Sequence, residues 1–89
     1  MRSSWYYFAM LTKQGPDAPG GAKDYIVNGK MTGGFAVVAY PAKYGDSGVM
    51  TFIVNKDGVV LQKDLGKTTE QAAAAITEFN PDKSWIVVE

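Results

Sequence analysis

Val49-Met50-Thr51-Phe52-Ile53-Val54, Asn55-Lys56-Asp57-Gly58 and Val59-Val60-Leu61-Gln62-Lys63 follow one another without a break, and this stretch decides the fold. The outer two runs are rich in β-branched and apolar residues, which suit a pleated, half-buried surface. The four residues between them read as a type I turn with Gly58 in the left-handed bulge position. The stretch therefore predicts an antiparallel hairpin. Immediately upstream, Gly34 to Tyr40 is apolar at both alternating positions, and Pro41 is expected to end it. Phe35, Val37 and Ala39 face one side, and Ala36, Val38 and Tyr40 the other. A strand of that kind is usually central and covered on both faces.

Working outward, Trp5 to Thr12 reads as a first strand. Gln14 to Gly21 reads as a loop, because Pro16 and Pro19 withhold amide donors and the glycines release the backbone. Lys23 to Val27 is a short extended piece, and Asn28-Gly29 is a tight-turn signal, since both residues tolerate positive φ. Downstream, Thr68-Thr69-Glu70-Gln71 is expected to open a helix with Thr68 and Gln71 as a capping box. Ala72, Ala75, Ile76 and Phe79 share a face at helical spacing, and Asn80-Pro81 stops the helix. The apolar tail Ser84 to Val88 docks as a strand or extended segment. Short strands joined by turns, followed by one helix, predict an α+β fold. Its expected form is an antiparallel sheet of about four or five strands, with one C-terminal helix packed on one face. No composition break or linker divides the chain, so residues 1–89 form a single domain.

The composition excludes several functions. Nine basic and nine acidic residues cancel, and the basic ones are scattered, so no field of one sign exists to attract nucleic acid. The chain has no cysteine and no histidine, which removes thiol nucleophiles, disulfides, histidine-based triads and zinc sites together. The apolar run Trp5 to Leu11 follows a single Arg2, but it is short and no small-residue cleavage site follows it, so the chain as written is read without a signal peptide. No run has the length of a membrane span.

Candidate chemistry is thin. Gly20-Gly21 and Gly33-Gly34 match neither dinucleotide nor phosphate-loop spacing and read as turns. Asn55-Lys56-Asp57-Gly58 lacks the dense oxygen ligands of a calcium loop. Asp24, Asp46, Asp57, Asp64, Glu70 and Glu78 lie near turns or on the expected outer face of the helix, where carboxylates are solvated. Ser47 and Thr51 have no histidine base, and no Ser-x-x-Lys occurs. No catalytic residue, metal site or cofactor is expected. Asn28, Gly29, Asp57 and Gly58 are assigned as structural turn residues.

Two features remain. Tyr6, Tyr7, Tyr25, Tyr40 and Tyr44 either supply a stacking platform for a small ligand or form half-buried sheet surface. The doubly apolar strand needs a second cover, since one short helix reaches one face only. Either the N-terminal strand and the Trp85 tail fold over that face, or a partner or a further part of a longer protein does. Phe35, Val37, Tyr40 and Tyr44 are the candidate interface residues.

Several stretches carry a family resemblance: Gln14-Gly15-Pro16-x-Ala18-Pro19-Gly20-Gly21, Asp24-Tyr25-Ile26-Val27-Asn28-Gly29-Lys30-Met31-Thr32-Gly33-Gly34-Phe35 and Tyr40-Pro41-Ala42-x-Tyr44-Gly45. They continue as Gly48 to Asn55, Asp57-Gly58-Val59-Val60, Lys63-Asp64-Leu65-Gly66 and Phe79-Asn80-Pro81-Asp82. In this order they resemble the C-terminal part of a bacterial family, domain of unknown function 2950. The resemblance implies an exported envelope protein, periplasmic or extracellular, and brings no catalytic or binding residues with it. Phe35 to Val60 is also similar to the β-sheet heads of pilins and pseudopilins. The expected function is a non-enzymatic, secreted module that acts by protein–protein contact or self-association. The alternative is a module that binds glycan or peptide through surface tyrosines.

Overall fold

The computed structural model describes residues 5–89. Met1 to Ser4, the start of the segment weighed as a signal peptide, lie outside the described residues. A five-stranded antiparallel sheet is built in the order β1 (Tyr6–Leu11), β4 (Ala36–Pro41), β5 (Met50–Asn55), β6 (Val60–Asp64) and β7 (Ile86–Val87). A separate ribbon pairs β2 (Lys13–Gln14) with β3 (Lys23–Asp24). The helix α1 (Thr69–Ala74) follows a 3-10 turn at Gly66–Thr68 and packs against β4. The α+β class and the one-sided helix are as the sequence predicts.

The hairpin of Val49 to Lys63 forms as expected. Val54 pairs with Val60 and Ile53 with Leu61. Gly58 sits at φ +79°, and its N–H donates to the Asn55 carbonyl at 3.0 Å. The Asn55 side chain adds a reason for the turn: its Oδ1 accepts from the N–H groups of Asp57 (3.0 Å) and Val59 (3.2 Å). Asn28 and Gly29 both take positive φ, and Val27 and Lys30 exchange backbone hydrogen bonds across them. That turn closes a single isolated bridge rather than two long strands.

Cross-strand partners share a face, so the register sorts every side chain. Leu11, Ala36, Val38, Ile53 and Leu61 point to one side and are buried with Ala18, Tyr25 and Phe79. The helix, the 13–25 region and Trp85 lie on this side, with Ile76 and Trp85 packed against the cluster. Pro41 ends β4 as expected, as its last residue, and pairs there toward β1 with Tyr6.

The helix departs from expectation. It covers six residues, Thr69–Ala74, and ends well before Asn80-Pro81. Thr68 makes no side-chain cap bond, so the capping box is not formed; the Thr69 hydroxyl instead donates to the Gly66 carbonyl. Phe79 is buried, but outside the helix. Its N–H donates to the Lys13 carbonyl at 2.9 Å and its carbonyl accepts from Gly15 N–H at 3.0 Å. These bonds to a distant strand replace the helical ones that local propensity favours.

Candidate functional site

The side of the sheet opposite the helix is apolar and has no covering element among the described residues. Phe8 and Met10 of β1, Val37 and Ala39 of β4, Phe52 and Val54 of β5, and Val60 of β6 all point there. Phe8, Met10, Phe35 and Ile86 are exposed, while Val37, Ala39, Phe52 and Val54 are half-buried by their neighbours. Gln62 interrupts the apolar surface, and Asp64 lies at its corner. A hollow of about 560 Å³ opens along Phe8, Ala9, Met10 and Val37. At the other end, Gly48 lies close under the Tyr6 hydroxyl, and Tyr6 leans on Phe52 with ring centroids 6.3 Å apart.

Neither candidate cover lies over this surface. The N-terminal strand and the tail occupy opposite edges of the sheet as β1 and β7. Each pairs with one neighbour in the sheet plane, β1 with β4 and β7 with β6, bonds that an overlying segment would have to forgo.

The structure brings together two of the four candidate interface residues. Phe35 and Val37 share the uncovered side. Tyr40 points to the helix side, where it packs against the core and its ring lies 5.4 Å from that of Tyr7. Tyr44 lies in the loop after β4, its hydroxyl donating to Asp64 Oδ1 at 2.7 Å. That bond, some burial and the carboxylate's charge raise the Tyr44 phenol above its ordinary pKa. The turn residues Asn28, Gly29, Asp57 and Gly58 lie in the two turns already described. The sequence reading missed Phe8, Met10, Phe52, Val54 and Ile86. The apolar alternation of Phe35 to Tyr40 continues into both neighbouring strands, and that continuation was the available signal.

The five tyrosines are spread over the molecule. Tyr25 is 2% exposed, and its hydroxyl donates to Gln14 Oε1 at 2.9 Å. Burial, with the charge of Asp57 adding to it, raises this phenol above its ordinary value. Gln14 is itself buried, and its amide donates to the carbonyls of Pro19 (3.0 Å) and Gly21 (2.7 Å). A residue read as loop is thus the polar post around which the 15–22 segment is wound. Nothing local in the sequence marks this, because its partners lie several residues away.

The carboxylates stand apart. Among the described residues no three acidic side chains gather as metal ligands, and the ion pair Lys43–Asp46 spans 3.9 Å at the surface. Asp82 is held below the ordinary carboxylate pKa by hydrogen bonds from the Ser84 hydroxyl and N–H, with Lys63 adding attraction. The Ser47 hydroxyl bonds to the backbone of Lys43 and forms no pair with a base. Among the described residues no helix is long and apolar enough to cross a membrane.

Comparison with known proteins gives one finding. Neither the curated proteins nor the solved structures contain a match to this chain. A family model described as "Protein of unknown function (DUF2950)" matches residues 3–88, which takes in every strand and the helix. The chain therefore belongs to the DUF2950 family.

Proposed function

We propose that this domain is a non-enzymatic contact module of the bacterial envelope, working through protein–protein association at the uncovered side of its sheet. One observation carries the reading: a contiguous apolar surface over four adjacent strands, in a domain that already has a closed core on its other side. Exposed apolar patches of several hundred Å² are uncommon on solitary proteins and mark interaction sites. The family resemblance to exported envelope proteins supports the setting, and the similarity of Phe35 to Val60 to pilin heads supports an assembly role.

Site-specific photo-crosslinking tests this. A photoreactive residue at Met10 or Val37 should give a discrete protein adduct in the expressing bacterium, while one at Ala74 on the exposed side of the helix should give none. Equal adducts from both sides, or none from the sheet, would overturn the reading.

A further inference from the structure

We infer that the occupant of the uncovered sheet surface is a second copy of this chain, packed face to face about a two-fold axis that runs along β5. This deepens the proposed contact function and rests on it. The argument begins with the register. One row across the sheet reads Phe8, Ala39, Phe52, Gln62, Ile86, each paired to the next. The next row reads Met10, Val37, Val54, Val60, Val88, the last joined by its N–H to the Val60 carbonyl at 2.8 Å.

Strand β5 is the middle of five. A two-fold parallel to it exchanges the two edges of the sheet. In the first row Phe52 meets its own copy, Phe8 meets Ile86, and the small Ala39 meets the longer Gln62. In the second row Val54 meets itself, Val37 meets Val60, and Met10 meets Val88. Ala39–Gln62 and Met10–Val88 set a longer side chain against a shorter one, and the remaining pairs bring apolar side chains of like size together. The protruding Ile86 also falls opposite the hollow beside Phe8 and Met10. Face-to-face sheets settle about 10 Å apart with strand directions within about 30° of each other, and a two-fold along β5 sets the two copies of that strand parallel.

Charge and area favour a copy over other occupants. These two rows carry no charged side chain and the chain has no net charge, so two copies meet without repulsion. A lipid surface is approached through basic residues beside the apolar ones, and neither row contains one. In the two rows Phe8, Met10, Ile86 and Val88 are 38, 60, 64 and 39% exposed. At about 200 Å² for each full residue they offer about 400 Å² per copy, and with the half-buried residues between them a pair buries about 1,000 Å², the lower bound of a specific interface.

The absence of cysteine in the sequence makes the test clean. Sedimentation at high micromolar concentration should show the dimer. With a short bismaleimide, Val54→Cys should cross-link to its own copy and Met10→Cys should not, whereas a mixture of Met10→Cys and Val88→Cys should couple. Val54→Lys should weaken the dimer by more than about a hundredfold, because two unpaired ammonium groups would be buried near the axis. Its circular dichroism and melting show whether the fold is intact. Self-cross-linking of Met10→Cys without Val54→Cys would overturn the arrangement in favour of edge pairing through β1. A monomeric wild type would overturn self-pairing, and side-specific adducts to a different protein would then leave the contact function standing.

Discussion

The Gln14–Tyr25 pair offers the sharpest energetic test of how the 12–25 region is held. Tyr25→Phe removes one buried hydroxyl and leaves Gln14 Oε1 without its 2.9 Å donor, a cost of about 1–2 kcal/mol. Gln14→Leu keeps the volume but strands the buried Tyr25 hydroxyl and releases the carbonyls of Pro19 and Gly21, at a cost of about 2–3 kcal/mol. Both single variants break the same bond and each orphans its partner. In the double variant that bond is lost once and neither end is left over. The cycle should therefore show a coupling of about 1 kcal/mol, the double variant losing less than the sum of the singles. Urea denaturation followed by tryptophan fluorescence measures it, with lower midpoints and unchanged slopes. Against a total stability on the order of 5–10 kcal/mol, each change is well resolved. Additivity within about 0.3 kcal/mol would refute the claim that the two side chains form one unit.

Other outcomes follow from single features. Gly58→Val should cost about 1–2 kcal/mol, because the residue sits at φ +79° with open space around it, so the penalty is backbone strain alone. An unchanged urea midpoint would remove the bulged turn from the account. Thr51→Val should stabilise the fold by about 1 kcal/mol, since the Thr51 hydroxyl is fully buried and has no hydrogen-bond partner; a lower melting temperature would show that the hydroxyl is satisfied. The Tyr25 phenol has a raised folded-state pKa, so its contribution is complete below the ordinary value of 10.0 and is lost as pH rises through the folded value. Melting temperature should fall at alkaline pH, and the fall should be smaller in Tyr25→Phe. Equal alkaline loss in the two proteins would assign it to other groups.

Local signals made the sheet legible. Alternation in Phe35 to Tyr40, the Asn-Lys-Asp-Gly turn and the apolar tail act over a few residues, and each produced the strand or turn it predicts. The helix boundary was not legible, because the Ala72 to Ala75 run favours a longer helix while Phe79 is drawn out of it by bonds to Lys13 and Gly15, more than sixty residues away in sequence. Gln14 was misjudged for the same reason: its role depends on carbonyls brought near only by the folded loop. Half of the candidate site was visible in Phe35 and Val37. The other half required the register, which decides that Phe8, Met10, Phe52 and Val54 share their side and that Tyr40 does not.

The positions of the first and last strands give the domain a mechanical polarity. β1 and β7 lie at opposite edges of the sheet and, with four antiparallel steps between them, run in the same direction. The two chain ends therefore leave from diagonally opposed corners, and a pull between them loads both outer ladders along their length. The load is shared by six residue pairs where β1 meets β4, but by two where β7 meets β6. The tail is thus the weak link under tension. It should detach first and bare the outer edge of β6, while the four strands from β1 to β6 hold together.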